Sequence, residues 1–77
     1  MNNSVYNYAK TRLIGTAQEI KKTTDDKPLI RMTINDTCND ICEDISAQAM
    51  HERISEKQSE LYQNWLHSLA ANLHPKN

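Results

Sequence analysis

A chain of 77 residues that is 38 % apolar, with one Trp, three Tyr and no Phe, holds little material for a private core. Domains this small bury a low fraction of their surface and usually lean on disulfides, a metal or a partner chain. The net charge of −1 neither demands nor rules out nucleic acid, while no apolar run reaches membrane-spanning length.

Charge is uneven along the chain. Residues 1–27 carry Lys10, Arg12, Lys21, Lys22 and Lys27 against Glu19, Asp25 and Asp26, a net of +2. Residues 28–77 carry Arg31, Arg53, Lys57 and Lys76 against Asp36, Asp40, Glu43, Asp44, Glu52, Glu56 and Glu60, a net of −3. An ordinary solvated surface accounts for an imbalance of this size. The opening "MNNSVYNYAK" lacks the apolar core of a secretory signal. The expectation is therefore a cytoplasmic protein, without membrane contact, whose Cys38 and Cys42 stay reduced. Four residues apart on a helix, these thiols point the same way without bridging comfortably.

In chain order, residues 1–27 form an arm or linker. Tyr6, Ala9, Leu13, Ala17 and Ile20 fall at roughly helical spacing interrupted by Gly15, so the arm is read as mobile or weakly helical. The alternative pairs "RLIGTAQEI" as a strand with "LIRMTIN" across the "KKTTDDKP" loop. Pro28 is taken to stop any helix from running through that loop.

From Pro28 the pattern alternates. Ile30, Met32 and Ile34 share one face, and Arg31, Thr33 and Asn35 the other, the strongest strand signal in the chain. A helix is predicted to follow at once, capped by Asn35 or Asp36. Its apolar stripe is Cys38, Ile41, Cys42, Ile45 and Ala49. A second helix starts at "SEKQ", where Ser55 and Gln58 stand at capping-box spacing. Its stripe is Leu61, Trp65 and Leu69, flanked by Tyr62, Leu66 and Leu73, and Pro75 ends it. The domain organisation is an arm (1–27), a strand-helix-helix unit (28–74) and a tail (75–77).

A lone strand needs a partner for its backbone groups, and the simplest is the same strand of a second copy. The expected fold is thus mostly α with one short strand. Two chains pair as a homodimer through an antiparallel ribbon, with a dimer core of Ile30, Met32, Ile34, Ile41, Ile45, Leu61, Trp65 and Leu69.

The alternating "LIRMTIN", the Cys38/Ile41/Cys42/Ile45 stripe and "SELYQNWL" together resemble the ribbon-helix-helix (Arc/MetJ-like) family of DNA-binding proteins, over residues 28 to about 70. The resemblance implies base contacts in the major groove of double-stranded DNA by Leu29 or Arg31, by Thr33 and by Asn35. It also implies a phosphate held by backbone N–H groups near Ser55. The corresponding function is a homodimeric sequence-specific DNA-binding protein: a small repressor, an antitoxin-like autoregulator, or a plasmid partition or transfer accessory, with a protein partner possible through the arm.

A second function class competes. Asp36, Asp40, Glu43 and Asp44, with Glu52, Glu56 and Glu60, suit a small acidic helical inhibitor of phage or plasmid type that occupies a nucleic-acid-binding surface on a larger target. Other constellations point to ordinary packing. Cys38, Cys42 and His51 lack a fourth ligand and a CxxC knuckle, so neither metal nor cofactor is expected and the thiols are read as apolar filling. His67 and His74 near the last helix end suit the dipole there. Trp65 with Tyr62 matches a base-stacking platform, but its place on the Leu61/Leu69 stripe favours a core position. No nucleophile–base pair or phosphate-cradling glycine loop is present, and no enzyme is expected.

Overall fold

A computed structural model describes residues 4–75, so the first three residues of the expected arm and the last two of the expected tail lie outside it. It contains three helices: α1 (Ser4–Thr23), α2 (Lys27–Met50) and α3 (Glu56–Leu73). They pack pairwise into an elongated bundle measuring 41 × 16 × 16 Å. No strand occurs among the described residues, and this overturns the ribbon-helix-helix fold.

The correction begins at Pro28. A proline in the first turn forfeits an N–H that has no helical acceptor anyway, and its fixed φ suits a helix start. Asp26 supplies the cap: its side chain accepts from Leu29 N, and the backbone there is extended. The helix thus begins eight residues before the expected cap at Asn35 or Asp36. The alternation of residues 30–34 has a helical explanation. Ile30 and Ile34 are one i, i+4 pair on the buried face, 4 % and 0 % exposed, while Met32 between them points outward at 54 %. Two of the three "strand-face" residues were therefore a helix stripe.

The expected arm is likewise a packed helix. Val5, Ala9, Leu13 and Ala17 recur every four residues and are buried. The small alanines let α1 approach the others closely, and Leu13 fills the centre. Tyr6 stacks on Trp65 of α3, with ring centroids 4.2 Å apart and planes 26° from parallel. Arg12 reaches Asp44 of α2 at 3.2 Å, an exposed pair that adds little stability. Gly15 sits on the exposed side of this helix, and a Cβ there meets nothing within 4 Å. Gly15→Ala is accordingly expected to raise the unfolding free energy by about 0.5–1 kcal/mol in denaturant titration. A fall in stability would mean that α1 is not helical at this point.

The α2–α3 turn replaces the usual glycine with Glu52 at φ 58°. Arg53 N donates to Gln48 O and Glu52 N to Ala49 O, the paired bonds of a Schellman ending. At the start of α3 the capping box forms as the sequence predicts. Ser55 N donates to Gln58 Oε1 and Gln58 N to Ser55 Oγ, both at 3.0 Å.

The core gathers Leu13, Ile34, Cys38, Ile41, Ile45 and Leu66 within one chain, with no second copy needed to cover them. Of the expected dimer core, Ile30, Ile34, Ile41 and Ile45 are buried, and Trp65 and Leu69 are partly buried against the cluster. Met32 and Leu61 are exposed, at 54 % and 60 %. The buried line of α3 is turned from the expected one: it runs through Ser59, Leu66 and Ala70, flanked by Tyr62, Leu69 and Leu73. None of the three helices is long and apolar enough to cross a membrane.

Candidate functional site

The residues expected to read DNA do not share an exposed face. Leu29 lies in the first turn of α2 and is 38 % exposed. The Thr33 hydroxyl donates to Leu29 O at 2.9 Å, a bond within the helix. Asn35 Oδ1 accepts from His74 Nε2 at 2.7 Å, tying the end of α3 to α2. Arg31 is half-buried on the same helix. At Ser55 the capping box occupies two of the backbone N–H groups that were to receive a phosphate, and Glu56 stands in the first turn.

Two other features emerge from the packing. The first is the outward face of α2. Met32, Asp36, Asp40, Glu43, Ala47 and Met50 recur at three- and four-residue intervals and are all exposed. Asp36, Asp40 and Glu43 make no ion pair among the described residues, where the one salt bridge is Arg12–Asp44. Met50 is 80 % exposed, and at 1.5 Å rise per residue it stands about 27 Å from Met32 along the axis. A band of carboxylates is thus bounded at both ends by flexible, polarizable apolar side chains.

The second feature is a thiol–imidazole cluster between α2 and α3. Cys38 Sγ lies 3.6 Å from His67 Nδ1, and Cys42 Sγ lies 3.8 Å from His67 Nε2. The i, i+4 spacing on α2 puts both sulfurs on one side of the helix, and the imidazole of α3 lies across them. A neutral imidazole has one bare and one protonated nitrogen, so one thiol donates to the ring while the other accepts from it. Both cysteines are buried, at 2 % and 8 % exposure, whereas His67 opens to solvent. Beside them, Gln63 Nε2 donates to Ser46 Oγ at 3.0 Å and to Ser59 Oγ at 2.9 Å, fastening the same helix pair. The histidine singled out from the sequence, His51, instead ends α2, with its backbone N–H bonded to Ala47 O.

Burial pushes both thiols above their ordinary value; for Cys42 the neighbouring Cys38 adds to the rise, which reaches about 11, while at Cys38 the hydrogen bond from Cys42 partly offsets it. In metal-free protein, then, the folded chain keeps its thiol protons where an unfolded chain loses them. It binds more protons than the unfolded chain above the ordinary value of 9.0, so stability falls as pH rises from there toward about 11. With a chelator present, denaturant midpoints should drop more steeply between pH ~8 and ~10.5 for the natural chain than for Cys42→Ala. Parallel profiles for the two proteins would contradict the burial of this thiol.

No family model matches the chain, and neither the curated proteins nor the solved structures contain a match. The site has to be read from its own chemistry.

Proposed function

We propose that the chain is a protein-binding module that docks the outward face of α2 on a basic surface of a larger protein. The observation that supports this is the pairing of unpartnered Asp36, Asp40 and Glu43 with exposed Met32 and Met50 on one stripe. Isolated surface methionines are unremarkable. Two of them at the ends of one carboxylate band fit an interface with apolar anchors and electrostatic orientation.

Magnitudes narrow the occupant. Three carboxylates spread over about 10 Å of helix axis stand about 5 Å apart along it, about a third of the charge density of duplex DNA, which carries one charge per ~1.7 Å. The face is therefore too dilute to imitate a nucleic acid by charge alone, and the methionines must contribute apolar contact. The partner surface this suits is cationic in the middle and has apolar hollows about 27 Å apart.

Site-specific photo-cross-linking tests the reading. A photoreactive side chain at position 50 should capture a basic protein, and the same group at exposed Gln18 on α1 should not. Adding Asp36→Lys with Glu43→Lys should weaken that capture by at least about 100-fold, because like charges then face each other. Equal capture from positions 18 and 50, or capture indifferent to the charge reversal, would remove the reading.

A further inference from the structure

We propose that Cys38, Cys42 and His67 form a zinc site that clamps α2 to α3 and keeps a fourth coordination position open to solvent. The three side chains offer one ligand atom each, and these atoms all lie within 4.8 Å of one another. Tetrahedral zinc with Zn–S near 2.3 Å and Zn–N near 2.05 Å requires an S···N separation of about 3.6 Å and an S···S separation of about 3.8 Å. The observed sulfur–nitrogen distances are 3.6 Å from Cys38 Sγ to Nδ1 and 3.8 Å from Cys42 Sγ to Nε2, so each thiol faces a different ring nitrogen. In the metal-free arrangement the ring lies side-on, one nitrogen toward each sulfur. Zinc binding requires the exposed imidazole to turn so that a single nitrogen faces both thiols.

The donor set selects the ion. Two thiolates and an imidazole suit a soft or borderline metal and disfavour calcium or magnesium, which take oxygen ligands. Zinc carries no redox demand and, besides its closed four-ligand sites, also takes three protein ligands with water in the fourth position. On binding, each thiol releases its proton to solvent as its sulfur forms a bond to zinc, and the ion sheds water ligands in exchange. The fourth position falls on the His67 side, where Glu60, Gln63 and Asn64 line a shallow groove with it. It is the solvent side because Cys38 and Cys42 are buried and His67 is not. A metal here also ties together two helices otherwise joined by apolar packing and by the Gln63 and His74 bonds. The site shares no side chain with the carboxylate band, so substitutions test the two proposals separately, although both presuppose the three-helix bundle.

The test is titration of the reduced, full chain with Co²⁺ as a spectroscopic stand-in, followed by Zn²⁺. One Co²⁺ per chain should give a thiolate-to-cobalt charge-transfer band, with visible bands of four-coordinate intensity, and Zn²⁺ should abolish both. His67→Ala, at an exposed position, should keep the helical circular dichroism and weaken metal binding by about 10–100-fold or more. His51→Ala should bind as the natural chain does. Cys38→Ser should reduce the charge-transfer intensity. An absent band, one metal per two chains, or binding that survives His67→Ala unchanged would overturn the site.

Discussion

Ile34→Ala is expected to lower the unfolding free energy by about 2–5 kcal/mol, and Met32→Ala to change it by no more than about 0.5 kcal/mol. Ile34 is 0 % exposed at the centre of the bundle, so truncation leaves a cavity that neighbouring helices cannot fully close. A 77-residue domain has roughly 4–12 kcal/mol of stability in all, at about 0.05–0.15 kcal/mol per residue. The Ile34 variant therefore loses a large share of it. Met32 is 54 % exposed and gives up little buried surface. In a ribbon the two residues would share one face, and both truncations would be costly. Denaturant unfolding of the two variants side by side separates these cases, and comparable losses would contradict the helix through residues 30–34.

Trp65→Ala should cost about 3 kcal/mol, near the lower end for a large aromatic because the ring is only partly buried. Part of that loss belongs to the stack with Tyr6. A double-mutant cycle between Tyr6→Ala and Trp65→Ala should give a coupling of about 0.5–1.5 kcal/mol. The coupling reports on more than two rings, since Tyr6 lies in the first turns of α1 and Trp65 in the middle of α3. Their contact requires α1 to lie along the other helices. Additive single-mutant effects would mean that the N-terminal segment does not dock there.

Much of the second half was legible in the sequence. The Cys38/Ile41/Cys42/Ile45 stripe is buried as its spacing predicts, and the Ser55–Gln58 capping box forms both of its bonds. These signals are local, and each fixes its own geometry. Residues 28–35 misled because a five-residue window cannot separate a two-residue period from one i, i+4 pair with an outward methionine between its members. Proline breaks a helix only in its interior, and Pro28 in the first turn of α2 favours one. In α1 the four-residue spacing of Ala9, Leu13 and Ala17 was visible, but Gly15 read as an interruption. On the exposed side of a helix, a glycine costs only about 1 kcal/mol, which the packing of Leu13 and the alanines offsets.

The thiol–imidazole cluster was half legible. Cys38 and Cys42 announce themselves by spacing on one helix. Their third member depends on how α3 lies across α2, which no local pattern encodes. His51, nearer in sequence, caps the end of α2 and is exposed, and His67, 25 residues from Cys42, makes the contact. The carboxylates of the α2 face were all seen as acidic residues. Their arrangement as a band between Met32 and Met50 became visible only once the helix was extended back to Lys27.

The interaction face rests on residues 27–50 being one uninterrupted helix, because that alone aligns Met32 with Met50, and the bundle that lays the cysteine pair against α3 contains the same helix. Backbone carbon chemical shifts of Leu29 to Asn35 in solution test this most directly. Helical shifts across all seven residues, with nuclear Overhauser contacts between amides three and four residues apart, are the expected result. Strand-type shifts with cross-chain contacts between these residues would contradict the bundle and both sites built on it.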